Sequence, residues 1–443
     1  MADPAEPPAA QVAADAQRQY WGRVLSATLR VAHDLDIAEE ATADAFVLAL
    51  QTWPERGVPV SVEAWLLTAA RRRAIDRIRR LGRLRQRLAT IAATGDLAAE
   101  PADAGLDAPP VLDDELRLVV LCCHPALDTE TQVALTMRLG CGVRTASIAA
   151  AFLVPEPTMA ARLTRAKKRI ASSGTGIDLP DDVAVEERMP AVRRTIHLAY
   201  AMGHTAGSGG DLRNDDVTAH ALRLARALHD LRPDDTEAGG LLALILLTQA
   251  RAATRLAADG TQVLLADADR SQWDNAMRAE GLEIVANLRS VLRMSPDRAT
   301  SEGQNAGALA LQAAIAAEHA RAATFADTEW AAIVGWYDAL LTVEPSPTIA
   351  IGRCVALSYL LGAAAGLDDI DEVIAVGGLD RYPYAHAARA QMLERLDRNA
   401  EAAASWALAA GCARTDAERA FFRSRSPARP DHRGPAPASS TPR

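Results

Sequence analysis

The sequence predicts an all-α protein: two small helical modules, the second a helix-turn-helix, followed by a larger helical-repeat domain. Three observations predict it. Hydrophobic residues make up 49% of the 443-residue chain while aromatics are only 4%, and Ala and Leu rather than alternating Val and Ile dominate, which favours helices. Residues 143–170 read as a short helix, a proline turn and a basic amphipathic helix. The second half of the chain repeats a helix, turn, helix plan. A chain of this length can bury more than one core.

From the N-terminus, residues 1–15 are rich in Ala and Pro and are expected to be disordered. Residues 16–90 form the first module. There "SATLRVAHDLDIAEEATADAFVLALQTWP" gives a helix, a break near Asp34–Asp36 and a second helix ended by Pro54. Ser61 is placed to cap a long third helix, whose apolar positions include Leu67, Ala74, Ile78 and Leu81. Residues 91–112 are rich in Ala, Pro, Gly and Asp, the composition of a flexible linker. Residues 113–172 form the second module, and 173–183 a second linker. Residues 184–424 are the large helical domain, and 425–443 have the composition of a disordered tail. Within the large domain three stretches read helix, turn, helix: one around "LRPDDTEAGG", one around "EPSPT" and one around "LDRN". Their unit length fits tetratricopeptide-like stacking, at irregular spacing.

The net charge of −9 by itself disfavours nucleic acid, but its distribution points the other way. "RRRAIDRIRRLGRLRQR", residues 71–87, holds nine arginines and one acid, and "RLTRAKKRI", residues 162–170, holds five cations and no acid. The only two lysines of the chain, Lys167 and Lys168, fall in the second cluster. Two basic stripes on an acidic protein are the footprint of a polyanion-binding surface.

The second cluster sits in a specific setting. Thr145 can cap a short helix carrying Ile148, Ala149 and Phe152, "LVPEP" is a tight turn, and Pro157 suits the first turn of the next helix. That helix places Met159, Leu163, Ala166 and Ile170 on one buried face. One residue over, Thr158, Arg162, Arg165 and Arg169 form a polar, cationic face. A helix so charged fits a major groove, where arginine reads guanine and other cations hold phosphates.

These segments carry a resemblance. "TASIAAAFLVPEPTMAARLTRAKKRI" is similar to region 4 of the sigma-70 family, extracytoplasmic-function group. "VEAWLLTAARRRAIDRIRR" and "AEEATADAF" resemble region 2 of the same family, in the right order. "LCCHPAL", "HLAYAMGHTAGSGGDL" and "DADRSQWDNAMRAEGL" resemble the subgroup with a C-terminal tetratricopeptide-like extension. The resemblance implies an alternative sigma factor that binds core RNA polymerase, double-stranded promoter DNA and the melted −10 strand; five scattered cysteines, an odd number, argue against a disulfide framework, and the expected compartment is the cytoplasm. On this basis Glu39, Glu40 and Asp44 match the helix that docks on polymerase. Arg71, Arg72, Arg73, Asp76, Arg77 and Arg80 match the helix that melts and holds the −10 element. Thr158, Arg162, Arg165 and Lys168 match the helix over the −35 element, with Lys167 and Arg169 completing its basic cluster. The chain departs from the family pattern at Ala43 (often Gln), Arg72 (often Asn), and Ala160 and Ala161 (often longer polar residues). It implies no cofactor and no enzymatic activity, and leaves the C-terminal domain a regulatory role through a possible protein partner. A helix-turn-helix regulator acting without polymerase is the alternative.

Other chemistries fit poorly. Cys122-Cys123-His124 lacks zinc-ligand spacing, since adjacent helical side chains point about 100° apart, and no CxxC or HxxxH partner exists. Leu118, Leu121, Cys122 and Leu127 are expected to pack instead, with His124 near a helix C-terminus where the dipole favours its cationic form. Trp65 is expected in the core rather than as a platform for an extruded base. In "ADADRSQWDNAMRAEG" Gln272 and Arg278 stand where a calcium loop needs Gly and Glu. No apolar run is long enough for a membrane span, and no secretory signal opens the chain.

Overall fold

The computed structural model describes residues 8–92, 114–173, 182–204, 214–257, 262–291, 306–413 and 415–425. The expected linkers and the C-terminal tail lie almost wholly outside them. The described residues hold α-helices, two short 3-10 turns and one isolated bridge, Leu256 to Gln262, but no strand. None of these helices is long and apolar enough to cross a membrane. The chain divides into two compact units, Met1–Ile245 and Leu246–Arg443.

In the first unit α1 (Ala9–Ala32), α2 (Leu35–Arg56) and α3 (Val62–Ala92) form a three-helix bundle. The break between α1 and α2 falls where expected, because the Asp34 carboxylate accepts from the amides of Asp36 and Ile37 at 2.9 and 3.0 Å and caps α2. Helix α1 starts seven residues earlier than expected, since Ala13 and Ala16 bury against the bundle. Pro54 lies inside α2, which runs on to Arg56. A proline in the last turn forfeits only one backbone bond, and Gly57 supplies the actual stop. The Ser61 hydroxyl accepts from the Ala64 amide at the start of α3. The buried side of α3 is Leu66, Ala69, Ala70 and Ala74, while Leu67 and Ile78 are half-buried and Leu81 is exposed. Small alanines let α1 and α2 approach closely, so they rather than the bulkier Leu67 and Leu81 take the inner positions.

Next come α4 (Asp114–Cys122), α5 (Thr129–Leu139), α6 (Thr145–Ala151) and α7 (Glu156–Ala171). Asp128 caps α5 by accepting from the amide and hydroxyl of Thr131. Arg144, not Thr145, holds the N-cap position of α6, and no side chain caps that end. Helices α8 (Asp182–His204) and α9 (Asn214–Leu231) form a hairpin that packs on α4 and α5. This hairpin therefore belongs to the first compact unit, although composition groups it with the C-terminal half. One continuous core runs from Leu25 and Leu29 of α1 through Ala38, Leu118, Cys122, Leu135, Ile148 and Met159 to Ala199 and Val217.

Helix α10 (Thr236–Gln249) spans the division between the units. The second unit holds α11 (Asn275–Val291), α12 (Ala308–Arg321), α13 (Trp330–Val343), α14 (Pro347–Leu360), α15 (Ala363–Gly377), α16 (Pro383–Glu394), α17 (Asn399–Cys412) and α18 (Asp416–Arg425). From α11 onward each helix packs on its sequence neighbours. Helices α13, α15 and α17 begin 33 and 36 residues apart, the period of a two-helix repeat. The repeat is more regular than the sequence suggests, because α15 has no proline turn to announce it. Conversely, α9, expected to open a repeat with α10, pairs with α8.

Candidate nucleic-acid interface

The helix-turn-helix forms as the pattern requires. Met159, Leu163, Ala166 and Ile170 of α7 are all buried. Phe152, Leu153, Val154 and Pro155 make the turn from α6, and Leu153 sits at φ +54°, in the left-handed region. Thr158, Arg165, Lys168 and Arg169 are exposed along α7. Arg162 is half-buried and pairs with Glu130 of α5 at 3.1 Å.

Lys167 is differently placed. Its ammonium binds Asp36, and Glu39 at 3.0 Å, both on α2. Glu39 also accepts from Arg138 of α5 at 2.7 Å and is buried. Hydrogen bonds and the charges of Asp36 and Glu39 outweigh the burial of Lys167 and raise its pKa. So one of the expected −35 cations and one of the expected polymerase-docking acids satisfy each other.

The other acids, Glu40 and Asp44, are exposed and pair with Arg77 of α3, Asp44 at 3.8 Å. They share their face of α2 with Val47 and Leu50, which are 50% and 48% exposed. An acidic stripe running into bare aliphatics on one helix face suits a protein partner. On α3, Arg71, Arg72, Asp76 and Arg80 are exposed, and Arg73 and Arg77 half-buried. Trp65 is half-buried, edge-on to the buried Trp53 at 5.4 Å, and so serves the bundle.

A second set of contacts, silent in the sequence, joins α1 to the turn after α5. The Trp21 indole donates to the Leu139 carbonyl at 3.0 Å. Its ring lies against Gly142, whose φ is +66°, where a Cβ would come within 2.7 Å. Gly22 faces the Gly140 carbonyl so closely that a Cβ there would sit 2.5 Å away.

The Cys-Cys-His run packs. Cys122, Cys123 and His124 are buried, with Leu118, Leu121, Cys122 and Leu127 in the shared core. The Cys123 thiol donates to the Thr195 hydroxyl of α8 at 3.4 Å. Burial pushes the Cys122 thiol well up and the Cys123 thiol up to about 12, which holds both as unreactive thiols. His124 accepts from the Ala126 amide through Nδ1. Its pKa is lowered, not raised by the helix end: desolvation leads, and Arg188 and Arg169 add to it. Among the described residues no three His, Cys, Asp or Glu side chains gather to hold a metal. In the stretch that fails as a calcium loop, Asp269 caps the 3-10 turn Arg270–Gln272 through the Ser271 amide.

Three family models match the chain: Sigma-70 region 2 over residues 17–84, Sigma-70 region 4 over 117–170, and a family of unknown function, DUF6596, over 188–289. The uncharacterized protein R00370 of Rhizobium meliloti (strain 1021) is 36% identical over 403 residues, 90% of this chain and 92% of that protein. The ECF RNA polymerase sigma factor SigK of Mycobacterium ulcerans (strain Agy99) is 34% identical over 119 residues, 25% of this chain and 58% of that protein. Among solved structures, yeast Tom70 superposes with a TM-score of 0.31 and 10% identity, over 94% of this chain and 83% of that one, too loosely to compare folds.

Proposed function

Because the chain belongs to the sigma-70 family, as a sigma factor of the extracytoplasmic-function type with a long helical extension, we propose that it recruits core RNA polymerase to promoters in the cytoplasm. In this reading the α2 face of Glu40, Asp44, Val47 and Leu50 docks on polymerase. The exposed residues of α7, Thr158, Arg165, Lys168 and Arg169, lie over the −35 duplex, where cations hold phosphates and arginine reads base edges. The arginines of α3, Arg71, Arg72, Arg73, Arg77 and Arg80, hold the opened −10 strand by its backbone and by stacking on extruded bases. Asp76 among them keeps that face from being uniformly cationic. No catalytic step belongs to the chain itself.

The observation that carries this reading is the basic recognition helix set on a correctly buried Met159–Leu163–Ala166–Ile170 stripe. Run-off transcription with core polymerase, on the promoter upstream of the protein's own gene, tests it. A specific transcript is expected, lost in Glu40→Arg/Asp44→Arg together with capture of core polymerase. Arg165→Ala should weaken −35 binding and lower its salt dependence by about one counterion. Promoter binding with no capture of polymerase would instead identify a regulator acting alone.

A further inference from the structure

The second unit contains a cavity of about 300 Å³. It is lined by Phe325 and Trp330 at the start of the repeat, Tyr337 of α13, Tyr359 of α14, Gln391 of α16, and Leu264 from the turn preceding the Asp269 cap. The whole chain has only seven Trp, six Tyr and five Phe, so four aromatics around one space is a concentration the composition does not predict. All four rings are half-buried rather than packed away.

The rings are organised. Trp330 and Tyr359 stack at 4.5 Å and 17°. Phe325 stands edge-on to both, at 5.3 and 5.1 Å. Tyr337 lies over Gly352, where any Cβ would come within 2.6 Å of its hydroxyl oxygen. Glycine at 352 is what lets this ring occupy its place. The outer face of Tyr359 is covered by the Arg395 guanidinium at 4.3 Å, which is itself held by the Ser358 carbonyl at 2.7 Å. His319 completes the wall, edge-on to Trp330 at 5.5 Å. Burial first, and then Arg251 and Arg270, depress its pKa to about 4, so the imidazole is neutral at physiological pH. Its Nδ1 is buried without a hydrogen-bond partner.

The lining defines an occupant. Among the described residues no charged side chain lines the space, so none of them offsets the desolvation of an anion. A cation cage needs open ring faces. Here Trp330 and Tyr359 turn their faces on each other, Arg395 occupies another, and nearby guanidinium groups oppose positive charge. What remains is an apolar, aromatic-lined space with a few neutral hydrogen-bonding groups, the Tyr337 hydroxyl, the Gln391 amide and His319. We propose that this cavity is a binding site for a small, uncharged aromatic molecule. The site lies entirely in the second unit, so it stands or falls separately from the promoter reading.

Indole, flat, neutral and with one N–H donor, serves as the probe, with tetramethylammonium and benzoate as charged controls. Calorimetric titration of the full chain is expected to show saturable binding of indole at one site and none of the two ions. Val355→Trp, which fills the cavity from α14, should weaken indole binding at least tenfold with the helical circular dichroism unchanged. Gln391→Leu, which alters only a half-buried amide, should weaken it several-fold and decides the matter if the filled variant does not fold. Absence of saturable indole binding overturns the proposal. So does equal binding by a folded Val355→Trp variant and by Gln391→Leu, or tighter binding of either ion.

Discussion

Leu153 holds a left-handed backbone in the turn that sets α7 on α6, and its side chain is 71% exposed. An L-residue there costs roughly 1–2 kcal/mol relative to glycine, while an exposed leucine returns little burial. Leu153→Gly should therefore stabilise the first unit by about 1 kcal/mol after allowing for the entropy glycine adds to the unfolded chain. Urea unfolding followed by circular dichroism measures it, and an unchanged or lower midpoint contradicts the strain. At this scale the sequence was most informative where spacing is local. Met159, Leu163, Ala166 and Ile170 were legible because helical period alone assigns their face. The partners of Lys167 and Trp21 were not, since 128 and 118 residues separate them from Glu39 and Leu139. His124 was misread for a related reason: a helix end argues for the cation, but burial and the distant Arg188 decide for the neutral ring.

Among the elements, the α8–α9 hairpin shows how composition can mislead about boundaries. Met189, Val192, Ile196 and Tyr200 of α8 are buried, and Arg188 donates to the Val120 carbonyl of α4. Each such side chain contributes roughly 1.5–3 kcal/mol when fully buried. A chain ending at residue 180 should unfold at a clearly lower urea concentration than one ending at residue 235, which retains the hairpin. Equal midpoints would mean the hairpin adds nothing to the stability of the two sigma modules. Its second helix also carries an acid-sensitive joint. The His220 ring of α9 lies against the backbone of Gly22 in α1 and of Gly140. Its Nδ1 accepts from Arg223, and its Nε2 is buried without a partner. Burial, and secondarily Arg223, lowers its pKa to about 3. The unfolded chain takes up this proton near pH 6.5 and the folded chain does not. Stability from this group is thus full above pH 6.5 and is lost on acidification, by at most about 1.4 kcal/mol per pH unit, down to about pH 3. His220→Asn should flatten the fall in urea midpoint between pH 7.5 and 5.5; an equally steep fall would place the acid sensitivity elsewhere.

For the first unit as a whole, the two sigma modules share one core and a buried ion pair, so the surfaces proposed for polymerase and for DNA partly cover each other. Lys167 and Glu39 cannot face outside partners while they face one another. Gly22→Val, aimed at the 2.5 Å approach to the Gly140 carbonyl, should part the modules without touching any residue assigned to DNA or polymerase. Spin labels at E55C and T164C should report a single short distance in the native chain and a broader, longer distribution in the variant, with several-fold tighter capture of core polymerase. An unchanged distribution would show that the approach is not what holds the modules together. The sequence made both modules legible, because each has its own periodicity and charge stripe. It said nothing of their docking, which rests on glycines, an indole and a carboxylate with no shared pattern.

The scarcity of lysine gives this docking a reporter of its own. Every side-chain amine in the protein lies on the recognition helix: Lys168 exposed, Lys167 only 15% exposed within its carboxylate pair. Acylating reagents, or any cellular acyl donor, therefore meet one open amine and one shielded amine, three bonds of backbone apart. The ratio of modification at these two neighbours, Lys167 to Lys168, read by peptide mass spectrometry, should therefore be low in the native chain and rise in Gly22→Val. Because acylation removes the charge that seats Lys167 against α2, a molecule caught open would be kept from closing again.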